Sequence, residues 1–333
     1  MAQCSAWMLS LTRAYWALAL AASAASLVNR RAAELSWHGK TRAAVASARG
    51  GAGATVPKAW FVHFYLLAAA WSGALLACAA LGLDPLFWFA ELWLSGLGLC
   101  GARGSGSRGW RDADGLAVLS LSLFFLHALR RLLESLYVTR FSPSARMHVA
   151  GYLLGMTFYL AAPWSLIVET EWVGAGAGAG APQPGLFRAA LALMVLYAAS
   201  LEQHRCHRTL AELRTTGLQR GLGVGAFFFA REFERTGAAA AAQGPAGAPP
   251  LAERYAIPGG GLFELCSSPH YFCEVWIYVA WLLLQPSSGA VLGMLAFVLV
   301  TMLSSAQASH RFYLERFPDS YPRGRAVLVP LLY

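Results

Sequence analysis

Charged residues are scarce in this chain. Asp, Glu, Lys and Arg make up 13% of its 333 residues, while hydrophobic residues make up 57%. Soluble domains carry about 25% charged residues, so a protein surrounded by water is excluded. Acids are scarcer than bases, 17 against 26, and the net charge is +9. With so few charges, that excess signals membrane orientation and not nucleic-acid binding. Cysteine is also sparse. Cys4, Cys78, Cys100, Cys206, Cys266 and Cys273 form no CxxC pair. That excludes a disulfide framework or a zinc site, and the thiols read as small core residues. The length would allow two soluble domains, yet repeated apolar stretches argue for one membrane domain. The predicted fold is an all-α integral membrane protein, a bundle of about seven transmembrane helices with a cytosolic loop cap.

Spans are predicted near residues 7–28, 60–81, 115–138, 148–168, 186–202, 271–285 and 287–308, the last two split by Pro286. Residues 84–100 are apolar but short and Gly-rich for a crossing that needs about 20 residues, so they read as interfacial or re-entrant. AASAAS at 21–26 resembles a signal-peptidase site, but Arg30 and Arg31 follow the first apolar segment and no basic cluster precedes it. That placement favours a retained first helix with its N-terminus outside the cytosol. Loop 29–59 carries six basic residues to one acid, and loop 139–147 carries Arg140 and Arg146 with no acid. Loop 203–270 has seven Arg to five Glu, and the tail 309–333 has four Arg to two acids. Segment 82–114 has three Arg to four acids, and the loop after the fourth span carries Glu169 and Glu171. Seven spans place every positive loop on one face, which is then cytosolic. Residues 174–182 form a flexible Gly/Ala connector, and 237–250 form a low-complexity insert to which no chemistry is assigned.

Chemistry-bearing residues gather near the predicted cytosolic side. The string YAIPGGGLFELCSSPHYFCE, residues 255–274, runs from a polar loop into an apolar segment. Its three glycines allow positive φ and close approach to a ligand. His270 and Glu274 are four apart and share a helix face. An acid entering the membrane needs a partner or a task. Upstream, EQHRCHRTLAELR sets Gln203, His207, Leu210 and Arg214 along one helix face, flanked by Arg205 and Arg208. Such a face either holds phosphates or touches anionic lipid. On the third span, Arg130 and Arg131 stand three to four residues from Glu134, so pairing is expected. His63 and Tyr65 in the second span, and His127 in the third, need polar partners in lipid. In the tail, Tyr313, Tyr321 and Arg325 alternate with apolar residues, as packing on the cytosolic mouth or an interfacial belt requires.

IPGGGLFE, Glu274 and the tail HRFYLERFPDSYPRGRAVLVPLLY resemble the steroid 5α-reductase family, membrane enzymes that reduce a carbon–carbon double bond beside a carbonyl. The likeness runs from Val56 to Tyr333. VPKAWFVHFY, LHALRRLLESLYV and CSSPHY look most like its polyprenal reductase branch. The resemblance implies NADPH, with contacts at Arg131, Gln203, His207, Arg214, Tyr255, Gly260, His270, Glu274 and Tyr313, and no metal. It implies a long-chain isoprenoid aldehyde taken from the bilayer, reduced at its α-isoprene double bond. It also implies an endoplasmic-reticulum membrane location and a product that supplies protein glycosylation through dolichol. The steroid-reducing members carry Asn and Asp where this chain has Gln203 and His207, and Asn where it has His270. Their Glu and Tyr beside the substrate carbonyl correspond here to Phe64 and Ala128. That departure argues against a steroid and leaves the carbonyl donor to His63 first, with Tyr65 and His127 as reserves. A steroid or sterol enone reductase, a membrane methyltransferase and a non-enzymatic scaffold are the alternatives.

Overall fold

A computed structural model describes residues 2–29, 54–81, 115–141, 145–177, 185–215 and 256–332. The apolar segments form helices, numbered here in chain order: α1 (Ala2–Val28), α2 (Phe61–Ala80), α3 (Gly115–Leu133), α4 (Val149–Ala177), α5 (Leu186–Thr215), α6 (Pro269–Leu284) and α7 (Gly289–Arg316). A π-helical turn, Glu134–Val138, prolongs α3. Two three-residue strands, β1 (Thr55–Pro57) and β2 (Arg146–His148), pair antiparallel in front of α2 and α4. That pairing sets the N-terminal ends of α2 and α4 side by side at one end of the bundle.

Six of these helices are long and apolar enough to cross a membrane. The sixth in order, α6, has only 16 residues, bounded by Pro269 at its start and Gln285-Pro286 at its end. It lies inside the bundle, with Ile277, Trp281 and Leu284 fully or almost fully buried. α5 differs from the sequence expectation. It does not stop at 202 but continues unbroken to Thr215, so the helix face from Gln203 to Arg214 is the end of this helix and not a separate element in a loop. Gln203, His204 and His207 turn toward α3 and α6, which lets the helix run on past the apolar stretch. Segments 84–100 and 237–250 lie outside the described residues.

The core between α1, α4 and α7 is aromatic. Trp16, Phe158 and Phe297 meet with ring centroids 5.5–5.8 Å apart. Lipid offers no hydrogen bonds, so polar atoms in the bundle are satisfied by neighbours. Trp16 Nε1 donates to Ser165 Oγ at 2.8 Å, and Gln285 Nε2 donates to Ser120 Oγ and to the Leu166 carbonyl, both at 3.0 Å. Glu169 is not a loop residue. It sits in α4, buried, and accepts from Arg13 Nε at 2.9 Å and Nη2 at 2.7 Å. A partner 156 positions away is what allows an acid at that depth.

Helix α7 approaches α1 through a glycine. A Cβ on Gly293 would stand 2.8 Å from Trp16 Cβ, an atom fixed to the α1 backbone. Gly293→Ala must therefore push the two helices apart. Overpacking of this kind costs about 1–3 kcal/mol, so the variant is expected to melt several degrees below wild type in detergent. An unchanged melting temperature would show that α1 yields without strain.

Candidate functional site

The site is built at the end of the bundle where α3 finishes, α5 finishes and α6 begins. Its hub is Glu134, 3% exposed. Arg130 Nη1 donates to Glu134 Oε1 at 2.6 Å, and Arg131 Nη1 donates to Oε2 at 2.5 Å. These are the local pairs that spacing along α3 allows. From α5, His204 Nδ1 lies 2.9 Å from Oε1 and His207 Nδ1 lies 3.0 Å from Oε2. His207 Nδ1 also faces Arg131 Nη1 at 2.9 Å. A guanidinium can only donate and a carboxylate only accept, so Nδ1 bonds to Arg131 when its proton is on Nε2 and to Glu134 when the proton is on Nδ1.

From this hub the network runs two ways. Toward α2, Arg131 Nη2 donates to Tyr65 Oη at 2.7 Å, and the guanidinium carbon lies 4.8 Å from the Tyr65 ring centroid. Toward α6, Arg130 Nη2 donates to Gln203 Oε1 at 2.7 Å. Gln203, 1% exposed, donates in turn to Glu274 Oε2 and, at 3.3 Å, to the His270 carbonyl. Arg130 Nη2 also lies 3.4 Å from His127 Nδ1. Two arginines and two glutamates thus nearly balance inside the membrane, as buried charges must.

Two polar atoms on the inner side of this network stand out. His127 Nε2 and Tyr278 Oη are buried without a hydrogen-bond partner. The nearest acid to His127 Nε2, Glu274 Oε1, is 3.9 Å away, beyond hydrogen-bond reach. Aromatic rings enclose the imidazole: Phe124, Tyr278 and Trp281 lie with centroids 5.8–6.4 Å from it. Buried polar atoms are normally paired. Apolar surroundings with unanswered hydrogen-bonding atoms suit a ligand that brings an oxygen.

The triple glycine lies at the mouth. Gly260 and Gly261 adopt φ of 83° and 57°, which favours glycine. A Cβ on Gly260 would meet nothing within 4 Å, while one on Gly261 would stand 3.6 Å from the Glu202 carboxylate on α5. Hence the loop lies beside α5 with an open face at Gly260. The tail holds the loop. Arg325 Nη1 donates to the Pro258 carbonyl at 2.7 Å and Nη2 to Glu264 Oε2 at 3.1 Å, while Gly260 N–H donates to Glu264 Oε1 at 2.6 Å. The Gly260 N–H, then Arg325, hold the Glu264 carboxyl below its ordinary range. Ser267 Oγ lies 2.6 Å from both His310 Nδ1 and Tyr321 Oη, and Tyr321 stacks on Tyr313 at 5.3 Å. Burial pushes the nearby Cys266 thiol up to about 11, so it stays protonated at neutral pH.

The structure brings Arg131, Gln203, His207, His270 and Glu274 into one cluster, with Tyr65 and His127 at its inner edge. Gly260 belongs to the adjoining loop, and Tyr313 to the last turn of α7, stacked on Tyr321 of the tail. His63 stands elsewhere. Its Nδ1 is 3.1 Å from Tyr152 Oη, and its ring packs on Trp60 at 5.3 Å. Arg214 lies in the last turn of α5 with its side chain outside the described residues, and Tyr255 lies outside them altogether. Sequence reasoning saw Glu134 as a partner for arginines but not as the hub. It did not single out His204 or Tyr278, for which isolated spacing carries no signal.

The family profile described as "3-oxo-5-alpha-steroid 4-dehydrogenase" matches residues 248–333, which hold the glycine loop, α6, α7 and the tail. The similarity to characterised proteins extends much further. "Polyprenal reductase 1" of Oryza sativa subsp. indica is 30% identical, with 94% of this chain and 91% of that protein aligned. The chain belongs to the steroid 5α-reductase family. "Polyprenal reductase" of Xenopus laevis is 30% identical over 84% of this chain and 78% of its own length. The Homo sapiens protein of that name is 28% identical over the same shares. As a member of this family the protein is an oxidoreductase acting on a carbon–carbon double bond.

Proposed function

We propose that the protein reduces the α-isoprene double bond of polyprenal with NADPH, in the endoplasmic-reticulum membrane, on the route from polyprenol to dolichol that supports protein glycosylation. The observation that carries this reading is the enclosed pair of partnerless atoms, His127 Nε2 and Tyr278 Oη, beside the Tyr65–Arg131 contact. A conjugated aldehyde presents one acceptor oxygen on an otherwise apolar chain, which matches buried donors in apolar surroundings. The polyprenal reductase names of the relatives support the same substrate.

The residues present fit a nicotinamide dinucleotide. The Gly260 face is open for close backbone approach. Gln203, His207, His270 and Glu274 offer a polar rim between that loop and the interior pocket. Arg130 and Arg131 are neutralised by Glu134 and Glu274, so phosphates would go to the outer end of α5. There Arg205 and Arg208 have side chains 75% and 64% exposed, and Arg214 lies on the same helix. Tyr255 and Tyr313 complete the set assigned to the cofactor. Bound NADPH supplies the hydride for the β-carbon of the enal.

The chain's own groups do the remaining work. As the double bond is reduced, its electron pair shifts toward the aldehyde oxygen and negative charge grows there. A donor aimed at that oxygen lowers the barrier. Tyr65 is arranged for this: its oxygen already accepts from Arg131, which leaves its own O–H proton free to donate. His127 Nε2 is the second donor, buried where water would not compete. The α-carbon then takes a proton and the aldehyde is restored. Lipid-facing helices exclude water and admit the chain laterally.

The test is NADPH oxidation by purified protein in detergent, with polyprenal and, separately, a 3-oxo-Δ4 steroid. Oxidation with polyprenal and little with the steroid is expected. A preference for the steroid would overturn the substrate assignment, and no oxidation with either would overturn the activity.

A further inference from the structure

We infer that the groove between α3 and α5 is the port through which the substrate's isoprenoid chain leaves the bilayer, with Arg130 as the gate between lipid and the reacting pocket. This inference rests on the polyprenal reading above and adds to it a route and a residue. On α3, Leu126, Leu129, Leu133 and Tyr137 recur at three- and four-residue spacing and so share one face. Leu126, Leu133 and Tyr137 are 58%, 47% and 52% exposed, which in this bundle means facing lipid. Between that strip and His204 of α5 lies a concave space of about 390 Å³. It is lined by Leu126, Leu129, Leu133, Tyr137 and Val138 together with Arg130, Glu134 and His204.

Charged groups are costly on a lipid-facing surface and mark paths or sites when they occur. Here they close the groove's inner end. The Arg130 guanidinium lies across it, held by Glu134 Oε1 at 2.6 Å and Gln203 Oε1 at 2.7 Å, with its Nη2 3.4 Å from His127 Nδ1. One side chain therefore both lines the groove and meets the Nδ1 edge of the His127 imidazole. Swinging Arg130 aside breaks its contacts with Glu134 and Gln203, a cost that the entering polar head offsets by taking the hydrogen bonds of the guanidinium. Just beyond, the π-helical turn closed by Thr139 N–H on the Glu134 carbonyl at 2.7 Å gives α3 an irregular end, a feature common at functional positions.

Charge decides the occupant. Arg130 Nε is buried without a hydrogen-bond partner and can donate to an entering oxygen. The Glu134 carboxylate already answers the Arg130 charge, so the groove offers a hydrogen-bond donor but no uncompensated positive charge to hold an acidic headgroup. A neutral polar end on an apolar chain, as in an isoprenoid aldehyde, meets both conditions, and an anionic phospholipid fails the second. The space holds the head of such a molecule and not its whole length, so the remainder of a long chain stays in the bilayer.

Two measurements test this. Wild-type protein in phosphatidylcholine vesicles is irradiated with a long-chain isoprenoid aldehyde bearing a diazirine near its head, and labelled peptides are mapped. Labelling of the peptide containing Leu126 to Tyr137 is expected; labelling confined to α1, α4 or α7 would overturn the port. This readout needs no turnover, so it stands apart from any failure of the proposed activity. Second, Leu129→Trp/Leu133→Trp fills the groove. KM for long-chain polyprenal should rise about tenfold or more, while KM for NADPH stays near wild type. An unchanged KM for the long chain would contradict the assignment.

Discussion

Glu134→Ala is expected to abolish activity and to cost the protein much of its stability. Four side chains converge on that carboxylate: Arg130, Arg131, His204 and His207. Removing it leaves two guanidiniums next to each other in the bundle, with Glu274 as the remaining nearby acid. Breaking a buried ion pair by deleting one partner costs about 3–5 kcal/mol. Here one deletion breaks two. The cost reaches function because Arg131 holds Tyr65 and Arg130 holds Gln203. Glu134→Gln keeps the shape and one acceptor oxygen but loses the charge, so it should fold better and still turn over poorly. Thermal unfolding in detergent and turnover per folded molecule check both variants. Near wild-type turnover in Glu134→Ala would show that the network is ornament to the site.

Tyr65→Phe and His127→Phe should each lower kcat by about a hundredfold, the usual effect of removing one donor to a developing oxyanion. KM for NADPH should change little, because neither side chain belongs to the polar rim assigned to the cofactor. His63→Phe is expected to stay within a few fold of wild type, since its ring packs on Trp60 and meets Tyr152. The three variants form one experiment. If His63→Phe shows the large loss and Tyr65→Phe does not, the donor lies on the Tyr152 side of α2. Steady-state kinetics with polyprenal at saturating NADPH separate the outcomes.

Much of the fold was legible because lipid demands apolar runs of about 20 residues, and such runs stand out in sequence. What was misread has a common cause, which is partners far away in the chain. Glu169 looked like a loop acid because Arg13, its partner, lies at the other end of the sequence. The 203–215 stretch looked like a helix face inside a polar loop, apart from the fifth span, because its polarity is unusual for a span. It continues that span because those polar residues pack on Glu134 and Glu274. His63 and Tyr65 are two apart on α2 and project to nearly opposite sides. The sequence offered both as polar residues in lipid but carried no sign of which side faced α3. Arg130 and Arg131 with Glu134 were legible as a local pair. That His204 and His207 would close on the same carboxylate was not.

The most direct measurement follows the transferred atom. Polyprenal is incubated with the purified protein and NADPH carrying deuterium at the transferable position of the nicotinamide, and the product is analysed by mass spectrometry and NMR. The account predicts one deuterium on the β-carbon of the former enal, a solvent-derived proton on the α-carbon, and an intact aldehyde. Deuterium on the carbonyl carbon, with the double bond retained, would contradict it.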